Sequence, residues 1–132
     1  MTITLLQVPG TRAPGGHYSQ AVIHGGLVYV SGQLPIDLVT GVRCLGSIEE
    51  QASLVLTNLA TILVAAGSRL DQLLKVTIYL SDVAHWEAVN TIYASILGAH
   101  RPARAVVPTG PLHHGFLIEV EAVAATSGYQ GR

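Results

Sequence analysis

Ser47-Ile48-Glu49-Glu50-Gln51-Ala52-Ser53-Leu54-Val55-Leu56-Thr57-Asn58-Leu59-Ala60-Thr61-Ile62-Leu63-Val64-Ala65-Ala66-Gly67 is the stretch that decides the fold. Its first four residues have the form of a capping box, with Ser47 as N-cap and Glu50 reaching back to it. Ile48, Ala52, Val55, Leu59, Ile62 and Ala66 recur at three- and four-residue steps and make one apolar stripe. Gly67 stands where a left-handed C-terminal cap belongs. The spacing predicts a helix with one face to bury.

The flanking sequence supplies something to bury it against. Upstream, Thr alternates with Ile and Leu from Met1 to Leu6, as in a strand. Pro9 to Gly16 reads as a loop, broken by Pro14-Gly15-Gly16. Ser19 to His24 and Leu27 to Ser31 are β-prone and flank Gly25-Gly26, the composition of a tight hairpin turn. Gln33 to Gly46, with Pro35, Asp37 and Thr40-Gly41, connects to the helix. Downstream, Leu73 to Leu80 predicts a strand. Ser81 or Asp82 caps a second helix over Val83 to Leu97, closed by Gly98, with a stripe of Trp86, Val89, Ile92 or Tyr93, and Ile96. Pro102 opens a strand through Val107, a turn follows from Pro108 to Gly115, and Phe116 to Ala124 forms the last strand. Strands and helices mix without strict alternation, so the expectation is an α+β sandwich with the helices on one face of a sheet.

The 132 residues fit one domain, 1–132, and a hydrophobic share of 49% suffices for its core. Charged residues are only 11%, against roughly 25% in an average soluble protein. So little charge predicts apolar surface hidden against other copies of the chain. Seven basic and eight acidic residues give a net charge of −1, and no field directs the chain to nucleic acid or anionic lipid. Cys44 is the only cysteine, which excludes an intramolecular disulfide and a multi-thiolate metal site. No apolar run reaches the ~20 residues of a membrane span, and the amino terminus does not read as a signal peptide. The expected location is the cytoplasm.

Among candidate chemical groups, His17, His24, His85, His100, His113 and His114 show no i,i+4 pair of the zinc-helix kind. They read as solvated loop histidines, and no metal is expected. Adjacent His113 and His114 would point to opposite sides of an extended segment. Cys44 has no base placed near it and reads as a small apolar filler. Arg104 lies inside an apolar strand and needs an anionic partner, since an unpaired buried charge is prohibitive. Its planar fork suits a carboxylate, either Glu119 or Glu121 on the last strand or that of a ligand. Glu119 and Glu121 alternate with Ile118, Val120 and Ala122 and so share a face, where a carboxylate with a raised pKa can activate water.

In order along the chain stand Tyr18-Ser19-Gln20-Ala21, Tyr29-Val30-Ser31-Gly32-Gln33-Leu34-Pro35 with Thr40-Gly41, Asn58-Leu59, and Ala65-Ala66-Gly67. Lys75-Val76-Thr77-Ile78-Tyr79-Leu80-Ser81-Asp82, Asn90 with Tyr93, Pro102-Ala103-Arg104 and Ile118-Glu119-Val120-Glu121-Ala122 follow. Each block alone is weak, but the ordered set, from about Gly16 to Ala124, resembles the Rid family, the reactive-intermediate deaminases also called the YjgF family. The resemblance implies a chorismate-mutase-like α+β fold, with a mixed sheet of about six strands and two helices packed on one face. It implies a homotrimer whose sheets form a central barrel with clefts between subunits. It also implies hydrolysis of imines and enamines such as 2-iminopropanoate to a 2-keto acid and ammonia, without a cofactor. Arg104 matches the family arginine that binds the substrate carboxylate, and Glu119 the acid that positions water. Tyr18, Ser31 and Asn90 match polar positions lining the cleft.

The chain departs from the family pattern at its rim. His17 replaces the proline before Tyr18, Val106 stands where many members have a cysteine, and Pro111-Leu112-His113-His114-Gly115 replaces the commoner turn. His17, His113 and His114 are thus expected at the rim of the cleft. Two alternatives to hydrolysis stay open: a divergent enzyme promoting imine condensation or cyclisation, and a non-catalytic small-molecule-binding trimer.

Overall fold

Ser47 and Glu50 do cap the first helix reciprocally. The computed structural model describes residues 2–127. In it, Ser47 Oγ accepts from the Glu50 amide at 3.2 Å and Glu50 Oε1 accepts from the Ser47 amide at 3.4 Å. Helix α1 (Ile48–Ala65) then runs to Gly67, whose φ of +81° suits glycine. There the Ser68 amide donates to Leu63 O and the Gly67 amide to Val64 O, the paired bonds of a Schellman stop. Every position of the expected stripe is buried.

The strands are β1 (Thr4–Leu6), β2 (Ala21–His24), β3 (Leu27–Gln33), β4 (Leu73–Leu80), β5 (Ala103–Pro108) and β6 (Ile118–Ala125), with α2 (Trp86–Leu97) between β4 and β5. The sequence expectation for β1 included Met1, which lies outside the described residues. The sheet order is β1-β2-β3-β6-β4-β5. All neighbours are antiparallel except β4 and β5. Strand β6 pairs antiparallel with both β3 and β4, so those two run parallel, and α1 is the crossover between them. Both crossovers, β3-α1-β4 and β4-α2-β5, step the same way across the sheet. Right-handed connections therefore put both helices on one face.

That face is the core. Val28, Val30, Val76, Ile78, Leu80, Ile118, Val120, Ala122 and Ala124 alternate along their strands and are at most 5% exposed. They pack under Val55, Leu56, Leu59, Ile62 and Leu63 of α1. Helix α1 is long and apolar enough by length and composition to cross a membrane, but half of that stretch is buried in the fold, as in a core helix. Among the described residues, none forms a covering layer on the opposite face of the sheet.

The second helix differs from its expectation at the start. Val83–His85 form a 3-10 turn in which Asp82 Oδ1 accepts the Ala84 amide at 2.8 Å, and α2 begins only at Trp86. The buried stripe is Val89, Tyr93 and Leu97. Trp86, placed at the helix mouth by that turn, is 40% exposed and stacks beside Arg104 instead of entering the core.

One buried polar side chain ties the layers together. Gln51, 1% exposed, donates from Nε2 to Gly46 O at 3.0 Å and accepts the Leu117 amide on Oε1 at 2.9 Å. It thereby fixes the entry of β6, the strand that carries Glu119, against the first turn of α1. Gln51→Leu keeps the volume but strands both backbone groups, and each orphaned group costs about 1–3 kcal/mol. Urea unfolding at fixed protein concentration should show a loss within or above that range; an unchanged midpoint would refute the tie.

Candidate functional site

Strand register decides where the expected site residues point. Leu6, Ala21, Val30, Ala122, Val76 and Arg104 are successive cross-strand partners in one row across the sheet. Partners in a row share a face. Four of them are buried under the helices, so Arg104, ending the row on edge strand β5, also projects to the helix side. There its Nη1 donates to Asn90 Oδ1 at 2.9 Å. The guanidinium carbon lies 4.8 Å from the Tyr93 ring centre and 5.7 Å from that of Trp86. Both are cation–π distances.

This corrects one alternative for Arg104. Neither Glu119 nor Glu121 pairs with it, because Glu119 is the partner of Tyr79 and Glu121 that of Thr77, on the uncovered face. Among the described residues the one ion pair is Arg69 with Asp71. Arg104 therefore carries its charge without a carboxylate partner, at the wall of a cleft of about 470 Å³ shared with Asn90, Tyr93, His100, Arg101 and Pro102. The Tyr93 hydroxyl is buried there with no hydrogen-bond partner among the described residues. Burial pushes its pKa up, and the Arg104 charge opposes that shift.

On the other face the two carboxylates differ in circumstance. Glu121 accepts the Tyr79 hydroxyl at 2.6 Å, a bond that leads the causes raising the tyrosine pKa. Glu119 accepts no hydrogen bond among the described residues. Its pKa is raised, first by burial and then by the Glu121 charge, against a lowering influence from His113. Gly32 on β3 makes the space: a Cβ there would overlap the Glu119 carboxylate. Gly32 also lines a second cleft of about 310 Å³, together with Tyr18, Gln20, Gln33 and His114.

The remaining expected residues divide between these places. Tyr18, 54% exposed, stands at the Gly32 cleft. Ser31 Oγ donates to Ser19 O at 2.6 Å, tying the strand before the cleft to its loop. His17 is exposed and lines neither cleft. His113 and His114 do not point to opposite sides. They sit in a 3-10 turn (His113–Gly115), where His114 adopts φ +58° and its ring stacks on His113 with centroids 3.8 Å apart. His100 is no solvated loop residue either, since its Nε2 lies 2.8 Å from Leu73 O. Val106 faces the helix side two residues from Arg104 and packs against the core. Among the described residues no group of three or more His, Cys, Asp or Glu is arranged to hold a metal ion.

Sequence reasoning missed four contributors. Trp86 and Tyr93 read as core stripe, yet they are the aromatic bed of Arg104, a role visible only once β5 lies beside α2. Arg12 and Arg43, which nothing in the sequence singles out, line one cleft. Their positions 12 and 43 gave no signal, because loop folding brings them together.

Residues 10–126 match the family model described as Endoribonuclease L-PSP. A RutC family protein of Pyrococcus horikoshii is 42% identical over 111 residues, covering 84% of this chain and 88% of that protein. A human protein named 2-iminobutanoate/2-iminopropanoate deaminase is 39% identical over 115 residues, covering 86% of this chain and 84% of its own. The crystal structure of E. coli TdcF with bound serine superposes with a TM-score of 0.87 at 29% identity, over 94% of this chain and 99% of that one.

The raised carboxyl of Glu119 has a consequence for stability. A carboxyl whose folded pKa exceeds its unfolded value holds more protons in the folded state, so stability falls as pH rises from about 4.5 through the folded value. Glu119→Gln removes that charge. The variant should melt higher than the parent at pH 7, with the gap closing below pH 4.5. A lower melting temperature at pH 7 would contradict the assigned environment.

Proposed function

The chain belongs to the Rid family, the YjgF/RutC proteins covered by the Endoribonuclease L-PSP model, and from that premise we propose that it hydrolyses imines of 2-keto acids, releasing ammonia. Substrates are imines such as 2-iminopropanoate and their enamine tautomers. One observation supports the reading: a fixed arginine without an anion and a raised, unbonded carboxylate lie on opposite faces of one sheet. A single chain cannot bring them to one substrate. A second copy can, with the Arg104 edge of one chain meeting the Gly32 cleft of the next.

A homotrimer closed around the uncovered sheet face suits this arrangement. That face presents Leu5, 68% exposed, and Tyr29, 45% exposed, beside Val22 and Val123. These are apolar groups that a sheet facing water on one side would not normally carry.

In the proposed mechanism Arg104 takes the substrate carboxylate with two parallel N–H bonds. Its bond to Asn90 and its two aromatic neighbours fix the plane of the fork before the substrate arrives. An imine carbon is already electrophilic, so orientation and proton transfer are the main requirements. Glu119, in its ionised form, accepts a proton from water as the oxygen bonds to the imine carbon, and passes that proton to the nitrogen. The resulting carbinolamine collapses: Glu119 takes the hydroxyl proton and hands it to the nitrogen, the C–N bond breaks, C=O forms, and ammonia leaves with Glu119 ionised again. Burial and the neighbouring Glu121 charge raise the Glu119 pKa, which makes its carboxylate a better base.

Neutral balance in the whole chain favours this reading over nucleic-acid cleavage, since seven basic residues meet eight acidic ones. The direct test generates 2-iminopropanoate with a dehydratase and follows its decay by absorbance and ammonia release. Wild-type protein should accelerate both. Lysine keeps the charge of Arg104 but not its fork. Losing one charge-assisted bond of roughly 1.5–3 kcal/mol lowers the rate about tenfold to a hundredfold in Arg104→Lys, and Arg104→Ala loses at least as much. Full activity in Arg104→Ala would remove the assignment. Light scattering at micromolar protein should return three times the chain mass; a monomer mass would contradict the shared site.

A further inference from the structure

The Gly32 cleft contains more than an imine of a simple keto acid requires. Arg12 and Arg43, two of the seven basic residues of the chain, line it, with Asp37 as its one acid. Asp37 is engaged within its own loop: its Oδ1 accepts the Val39 amide at 2.9 Å and the Thr40 amide at 2.8 Å. Arg12 spends one N–H on Thr40 O at 3.0 Å, lying across Gly41, where a Cβ would crowd its guanidinium. Arg43 makes no hydrogen bond or ion pair with its side chain among the described residues. Both arginines are exposed, and two guanidiniums at the wall of one cleft favour an anion between them.

Through Gly32 the cleft adjoins the carboxylate proposed above as the base. Gly32 forms its wall and leaves the room that the Glu119 carboxylate fills. His113 acts electrostatically on Glu119, and Arg43 on His114, whose ring stacks on His113. His114 and Arg43 line the same cleft. His114 is the one described non-glycine residue with positive φ, and this left-handed turn is what brings its ring to the cleft.

We infer that Arg12 and Arg43 form a second anion subsite, and that the preferred substrates are imines of dicarboxylic keto acids. This rests on the deaminase reading above. Arg104 of one copy would hold the carboxylate next to the imine carbon. The Arg12–Arg43 pair of the adjoining copy would hold the carboxylate at the far end of the side chain. Planar forks on both sides suit carboxylates, which accept paired N–H bonds.

Trp86, the only tryptophan in the chain, lies beside the Arg104 guanidinium and reports by fluorescence on acids bound there. Titration with butanoate, succinate and glutarate, repeated by calorimetry, compares one carboxylate with two on similar chains. At least one diacid should bind about tenfold more tightly than butanoate, the gain of one charge-assisted contact. In the double variant Arg12→Gln, Arg43→Gln that ratio should fall towards one, while Arg69→Gln, outside the cleft, keeps it. Equal affinities in the parent protein, or a diacid advantage that survives the double variant, would overturn the subsite. If 2-iminopropanoate is hydrolysed but diacids gain nothing, this inference alone fails. If neither hydrolysis nor acid binding occurs, the deaminase reading fails and this inference with it.

Discussion

Alternation along a strand governs everything else in this molecule. Val76 and Tyr79 are three residues apart on β4, so their side chains leave opposite faces of the sheet. Val76 is the register partner of Arg104 and Tyr79 that of Glu119. No rotamer change reverses this, and a one-residue slip in register would expose the core row of Val76, Ile78 and Leu80. The arginine is thereby committed to the helix side and the carboxylate to the open side. A shared site between copies is the consequence that follows for a chemistry needing both groups.

The energetic character of the two halves matches their separation. Arg104 is only half-buried and has an amide oxygen and two aromatic faces in place of an anion. That environment keeps the guanidinium in position without neutralising it, leaving donors for an incoming carboxylate. Glu119 loses part of its hydration and gains a like-charged neighbour, while Glu121 is occupied by Tyr79. One carboxylate of the pair is bonded to Tyr79 and the other accepts no hydrogen bond among the described residues. Gly32 is the enabling residue, because any side chain there would occupy the space of the Glu119 carboxylate.

Much of the fold was legible in the sequence because its signals are local. The capping box at Ser47, the Gly25-Gly26 hairpin and the Gly67 stop each depend on a few consecutive residues, and each forms. The shared face of Glu119 and Glu121 was equally readable from period-two alternation. What failed depended on contacts distant in sequence. The partner of Arg104 was sought on β6, but strand order puts β4 between β5 and β6 and makes α2 the nearer neighbour. Trp86 was counted as core because a 3-10 turn is not visible in apolar spacing. The histidine pair was read as extended, and the left-handed backbone of His114 has no signature in side-chain type. Family resemblance named Arg104, Asn90 and Glu119 as site positions, but it did not show that one chain holds Glu119 on the face opposite Arg104 and Asn90.

The most direct test of the proposed shared site mixes two crippled chains. Arg104→Ala and Glu119→Ala proteins, each without activity alone, are unfolded together in equal amounts and refolded into mixed assemblies. If every site takes Arg104 from one copy and Glu119 from the next, random mixing restores about a quarter of the sites. Imine hydrolysis should return at about that fraction of the wild-type rate. Mixed assemblies that stay inactive would contradict the account, since a site drawing both residues from one chain can never be completed by mixing.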